Sequence, residues 1–197
     1  MAEIMNEKDS ITLTGSSDSD SIRNAGASVV IETYAGNDII ENYGESGTID
    51  AGDGDDYVEN LGEGATVNAG TGNDTVENYR SDVFIYGEAG EDSIVNEYGS
   101  NVFIDGGADN DFIKNNRDGV TINGGKGNDT IEGIGSEVIL FGTDDGSDTV
   151  TNYQNKNSIS LTSGEINSTL LNGSDIILSL GNDSLTLKTR GYRQNGF

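Results

Sequence analysis

The chain has 197 residues, 35 of them acidic and 10 basic, for a net charge of −25, and it contains no Pro, Cys, Trp or His. Such a surplus of carboxylates argues against nucleic acid and anionic membrane surfaces as partners. Without Cys there is no disulfide or thiolate metal site, and without His the commonest general base is gone; oxygen alone remains to ligate metals, which suits Ca²⁺ or Mg²⁺.

No apolar run approaches the length of a membrane span, so no membrane insertion is expected. Low hydropathy with high charge would also suit a disordered chain. Periodicity decides between the two readings.

Residues 1–14 begin MAEIMNEKDS, without the charged-then-apolar pattern of a secretory signal. With Ile11 and Leu13 they read as an N-terminal cap. From residue 15 a repeat takes over. Asp20, Asp38, Asp56, Asp74, Asp92, Asp111, Asp129 and Asp148 follow one another at steps of 18, 18, 18, 18, 19, 18 and 19. Two residues after each stands an aliphatic: Ile22, Ile40, Val58, Val76, Ile94, Ile113, Ile131 and Val150. A second aliphatic column runs between them through Ile31, Ile49, Val67, Ile85, Ile104, Ile122 and Leu140.

Each unit therefore holds two short strands with one inward β-branched side chain apiece. One unit buries almost nothing, whereas stacked units bury two facing columns as one core. The expected fold is all-β: a parallel β-solenoid, or β-roll, of 18-residue coils over residues 15–154. Seven coils at the strand spacing would make a rod on the order of 35 Å. The first extra residue falls between Asn96 and Ile104, and the second in the loop from Gly142 to Asp148. Residues 155–197 lose the rhythm and read as an antiparallel β cap over the coil end, with Gly181-Asn182-Asp183 as a hairpin turn.

The loops before the aspartates carry the chemistry. They read AGDGDDYVE from Ala51, AGTGNDTVE from Ala69, GEAGEDSIV from Gly87, GGADNDFIK from Gly106 and GGKGNDTIE from Gly124. Glycine turns backbone carbonyls toward one point, and one Asp per loop supplies charge. As an array over roughly residues 15–152, these loops resemble the RTX, or haemolysin-type calcium-binding, repeat family. The resemblance implies ions held between successive loops by the aspartate and loop carbonyls. Carried over, the ligands would be Asp20, Asp38, Asp56, Asp74, Asp92, Asp111 and Asp129, with Gly36, Gly52, Gly54, Gly70, Gly72, Gly90, Asp109, Gly125 and Gly127 in the loops. Seven loops leave six gaps, hence about six Ca²⁺ along one side.

One departure matters. The family's coils usually carry the motif in both turns, whereas here the opposite turns (NYGESG, NLGEGA, NYRSDV) lack it. A column of Asn24, Asn42, Asn60, Asn78, Asn96, Asn115 and Asn152, broken at Gly133, stands there instead. Stacked amides can hydrogen-bond along the axis and would staple the ion-free side.

Other columns carry weaker signals. Glu41, Glu59, Glu77 and Glu132 share an outward position, as a solvated acidic face or a second cation site. Tyr43, Tyr79 and Tyr153, with Leu61 in series, would pack the turn or stack on a sugar. The outward Thr48, Thr66 and Thr121 could order ice-like water, but Phe84, Phe103 and Ile139 interrupt them; with Tyr86 and Phe141 these make a patch for a glycan or neighbouring domain. Carboxylates that recur with the repeat do not mark a unique active site, and Lys114, Arg117 and Lys126 are the only basic residues of the later coils, so no enzyme is expected. The resemblance implies a calcium-dependent folding module of a secreted or cell-surface bacterial protein, exported by a type I route. The alternative is an adhesion or carbohydrate-binding module with structural calcium.

Overall fold

A computed structural model describes residues 3–153, 156–172 and 175–189. The chain winds as a parallel β-solenoid of nine coils among these residues, each with two strands. The first three coils are β1 (Glu3–Asn6) and β2 (Thr12–Thr14), β3 (Ser21–Asn24) and β4 (Val30–Glu32), and β5 (Ile39–Asn42) and β6 (Thr48–Asp50). The next three are β7 (Tyr57–Asn60) and β8 (Thr66–Thr71), β9 (Thr75–Asn78) and β10 (Phe84–Ala89), and β11 (Ser93–Asn96) and β12 (Phe103–Ala108). The last three are β13 (Phe112–Asn115) and β14 (Val120–Lys126), β15 (Thr130–Gly133) and β16 (Glu137–Phe141), and β17 (Ser147–Tyr153) and β18 (Ser158–Leu161). First strands form one sheet and second strands the other, in parallel throughout. The N-terminal residues thus pair in the same register as every later coil, with Ile4 on Ile22 and Leu13 on Ile31.

Three strands follow: β19 (Ser168–Asn172), β20 (Asp175–Leu180) and β21 (Asp183–Thr189). They form an antiparallel meander whose last strand returns parallel to β17, so the first sheet grows to twelve strands. Gly181 and Asn182 close a two-residue hairpin, with Gly181 at φ 62°. Residues 190–197 of the expected cap lie outside the described residues. Ser158–Leu161 departs from the expected antiparallel cap: it pairs in parallel with β16 and completes the ninth coil.

The two aliphatic columns face each other and are buried almost completely, Ile40, Val58, Val76 and Ile94 against Ile49, Val67, Ile85 and Ile104. A third inner column was not read from the sequence: Val29, Ala65, Val83, Val102 and Val120 fill the turn opposite the aspartates. The first extra residue lies where expected, since Asn96 reaches the carbonyl three residues on rather than two. The later spacing needs correcting. Ile122 pairs with Ile139, so Ile139, not Leu140, is buried in the second column. Val138 accordingly takes the outward Thr position, and Phe141 is fully buried rather than part of a surface patch. The turn before β16 is one residue short and the loop after it two residues longer, which together make the 19-residue step from Asp129 to Asp148.

The asparagine column is continuous hydrogen bonding. Each Nδ2 donates to the Oδ1 of the next coil's asparagine, from Asn6 through Asn24, Asn42, Asn60, Asn78 and Asn96 to Asn115, at 2.7–2.9 Å. Each also clips its own turn: Asn60 donates to the Gly62 carbonyl and accepts the Gly62 N–H. Gly133 does not break the ladder. The short turn brings buried Glu137 into the space a side chain at Gly133 would fill, and its Oε1 accepts from Asn115 at 2.9 Å and from the Gly135 N–H at 2.8 Å. Its Oε2 accepts from Asn157. Asn152 is not a rung; it points to Glu132. Sequence reading began the column at Asn24, although Asn6 stands one 18-residue step before it; Glu137 lies off that step.

Asn60→Ala removes two donors and an acceptor from a fully buried chain of amides and is expected to cost about 1–3 kcal/mol. Thr66→Ala, on the outward face, should stay within about 0.5 kcal/mol. Urea unfolding of both variants under identical ionic conditions separates them; equal midpoints would deny the ladder its structural role.

Candidate metal centre

The loop opposite the ladder starts from backbone that only certain residues tolerate. Its second position has positive φ in successive coils, at Tyr34, Gly52, Gly70, Glu88, Gly107 and Gly125. Its fourth does likewise at Gly36, Gly54, Gly72, Gly90, Asp109 and Gly127. Tyr34 at 71°, Glu88 at 76° and Asp109 at 80° show the stack imposing this conformation even where glycine is missing. The loops also pack too tightly for side chains at these places: a Cβ on Gly72 would sit 2.2 Å from the Gly54 carbonyl oxygen.

This path turns one aspartate per coil inward. Asp20, Asp38, Asp56, Asp74, Asp92, Asp111, Asp129 and Asp148 are all buried, between 0% and 3% exposed. Each Oδ1 from Asp38 onward accepts the backbone N–H of the aspartate one coil earlier, at 2.6–3.0 Å. The second oxygen is different. Oδ2 of Asp38, Asp56, Asp74, Asp92, Asp111 and Asp129 is buried with no hydrogen-bond partner. Asp20 stands apart, for its Oδ2 accepts from the Ser16 N–H at 2.6 Å and the Ser16 hydroxyl at 3.0 Å.

A buried carboxylate oxygen without a donor is expensive unless a proton or a cation meets it. In the ion-free chain burial is the main cause, opposed by the N–H on Oδ1 and reinforced by nearby carboxylates. It pushes Asp74 and Asp129 up to about 6, Asp56 and Asp92 to about 7, and Asp111 and Asp148 to about 8. Asp38 is raised in the same way.

The donor set fits a hard cation. It is oxygen throughout, and six of the aspartates each hold one uncommitted buried oxygen. Among the described residues no three acidic side chains converge on one point. A shell here would therefore draw most of its oxygens from loop carbonyls, and the strained glycine positions are where those carbonyls are set. The structure thus brings all the aspartates read from the sequence into one column, and Gly36, Gly52, Gly54, Gly70, Gly72, Gly90, Asp109, Gly125 and Gly127 into two flanking ones. Sequence reading missed Tyr34 and Glu88, whose side chains give no hint of left-handed backbone; only their place in the repeat does.

The outward columns assemble differently. Glu41, Glu59 and Glu77 stand directly beside one another across β5, β7 and β9. Glu77 accepts from the Tyr79 hydroxyl at 2.9 Å within one coil, and the Arg23 guanidinium of the coil before lies 4.9 Å from the Tyr43 ring centre, so these tyrosines pack against the roll itself. Phe103 contacts Phe84 and Tyr86, with ring centres 6.4 and 5.9 Å apart, and Phe84 is 51% exposed.

No family model and no curated protein matches the chain. Among solved structures, the extracellular lipase LipA of Serratia marcescens is similar at 16% identity with a TM-score of 0.42. The match covers 92% of this chain and 38% of the lipase chain. So distant a likeness, to a protein of which this chain spans well under half, carries nothing about activity or ligands.

Two outcomes follow from the loop geometry. Gly72→Ala should cost about 1–3 kcal/mol through backbone strain alone, whereas Thr71→Ala at the exposed neighbouring position should be close to neutral; thermal melts compare them. The pH dependence has a definite sign. Carboxyls raised in the folded state bind protons more tightly there than in the unfolded chain, so the ion-free roll is most stable below about pH 4. That stability is lost as pH rises through about 6 to 8, the values the aspartates reach. Melting temperatures in chelator should therefore fall from pH 4.5 to pH 8, with a shallower slope in Asp111→Asn; a rise over that range would contradict the ion-free column.

Proposed function

We propose that this β-solenoid is a calcium-binding, RTX-like folding module of a secreted or cell-surface protein, held unfolded or loosened without calcium and closed by it. The observation that carries this reading is the column of six buried, unpartnered aspartate oxygens beside loops of left-handed glycine. Calcium would supply positive charge to that column and neutralise it. Asp38, Asp56, Asp74, Asp92, Asp111 and Asp129 would hold the ions with loop carbonyls, about six in all, and Asp20, already satisfied by Ser16, would contribute least. Extracellular calcium modules typically work in the range of about 10⁻⁴–10⁻³ M, far above calcium inside a cell, so folding would wait for export. The repeated fold, with no singular constellation of groups among the described residues, supports a structural module rather than an enzyme.

A second reading has one specific observation behind it. The aromatic cluster of exposed Phe84 with half-buried Tyr86 and Phe103 on the outer face of the second sheet suits an adhesive or glycan-binding role, with calcium structural.

Circular dichroism during a Ca²⁺ titration, with Mg²⁺ as control, tests the main reading. A cooperative gain of β structure specific to Ca²⁺ is expected. Asp92→Asn should shift this transition to higher calcium while raising the melting temperature in chelator, because the amide removes a buried charge and keeps the acceptor for the Asp74 N–H. A roll equally folded with and without calcium, in both chains, would end the proposal.

A further inference from the structure

The asparagine edge holds an exception to the acidity of the chain. Each rung of the amide ladder clips the carbonyl of one turn residue: Lys8, Gly26, Gly44, Gly62, Arg80, Gly99 and Arg117 in successive coils. Gly135 follows Arg117 in the same column. Glycine suits this place because the coils are close. A Cβ on Gly62 would sit 1.9 Å from the Gly44 carbonyl oxygen, and one on Gly99 or Gly135 would sit 2.2 Å from that of Arg80 or Arg117. The members that are not glycine are all cations, in a chain with only 10 basic residues among 197. The turn itself asks for no charge there.

Arg80 and Arg117 stand two coils apart, about 9.5 Å along the roll, with glycine before, between and after them in the column. Both are exposed. The turn between them holds the extra residue and puts out Tyr98, which is 57% exposed. The ring centres of Tyr98 and Tyr79 lie 6.0 Å apart, and the Arg117 guanidinium lies 5.0 Å from the Tyr98 ring centre. A contact with a ring face steadies the guanidinium without occupying its in-plane donors. Arg80 gives one N–H to the Tyr79 carbonyl at 3.1 Å. Among the described residues neither arginine forms an ion pair, whereas Arg23 does with Glu41. The neighbouring carboxylates are engaged elsewhere: Asp82 accepts from Asn101, Glu97 from Asn116 and Asp118 from the Ser136 N–H.

We propose that Arg80, Arg117 and Tyr98 form a binding site for a single strand of acidic polysaccharide, whose carboxylates take the guanidinium donors as paired hydrogen bonds. An extended sugar chain with an acid on every second unit carries its charges at an interval close to that of the two arginines. The net charge of −25 selects for so slender a ligand. A nucleic acid duplex or an anionic membrane would meet a broad, mostly acidic surface, whereas one sugar strand meets this edge alone. The aspartate edge lies a strand length away, on the order of 13 Å, and exposed charges are largely screened beyond about 8 Å at physiological salt.

Calorimetric titration of the full chain, folded in calcium, with a hyaluronan octasaccharide tests the site. The octasaccharide should bind, added salt should weaken it, and its methyl ester of the same length should not bind. Arg80→Gly and Arg117→Gly install the residue that neighbouring coils use, so melting temperatures should stay close to that of the parent. Each should weaken binding about three- to tenfold, and the double variant should abolish it. Lys8→Gly makes the same change of charge in the same column, four coils from Arg80, and should leave the affinity unchanged. No binding of the octasaccharide, equal binding of the ester, full affinity in the double variant, or an equal loss in Lys8→Gly would overturn the proposal.

Discussion

Parallel stacking at a fixed period sets each side chain over its counterpart one strand spacing away. Everything else in the molecule follows from what groups do when laid on their own kind. Aliphatics gain, since a branched chain over a branched chain is ordinary core packing. Primary amides gain more selectively, because one group carries both donor and acceptor and can pass a hydrogen bond along the axis. Carboxylates lose, because two like charges at that distance repel and neither can donate.

The roll has assigned these behaviours to separate sides. The side with asparagine satisfies itself, each amide closing its turn and joining the next. The side with aspartate does not, for from Asp38 to Asp129 one oxygen of each carboxyl takes a backbone N–H and the other is left buried and unmet. The outward Glu41, Glu59 and Glu77 show the mild form of the same conflict, relieved by water and by Tyr79. A fold that is self-sufficient along one edge and deficient along the other has its dependence on solution conditions concentrated in the deficient edge.

The period made most of this legible in the sequence. A single column of aspartates with an aliphatic two residues on was enough to place strands, core and loops, because a one-residue error would expose every inward side chain. Part of what escaped broke the period, and part kept it without a side chain or loop to flag it. Glu137 lies in a turn one residue short, so counting by eighteens passed over it and placed Leu140 where Ile139 belongs. Asn6 lay in residues that carry no aspartate loop, and its role emerged only from pairing with Asn24. Tyr34 and Glu88 hold left-handed backbone with side chains that ordinarily avoid it, so their conformation comes from neighbours along the stack. The orphaned second oxygen of the six aspartates from Asp38 to Asp129 is a fact of three-dimensional burial that no spacing could supply.

The turn at Tyr98 shows how such a chain tolerates change in its own length. One residue more is present there, and Asn96 simply reaches a carbonyl one position further; by β12 the pairing is back in step. The turn before β16 is one residue short and the loop after it two residues longer, yet β17 still pairs in step with β15. Errors of count are therefore absorbed locally, in the turn or loop where they fall. An array of this design can gain, lose and diverge in its repeats over evolutionary time without a coordinated change elsewhere, provided each slip falls in a turn and the strand that follows still presents its aliphatic to the axis.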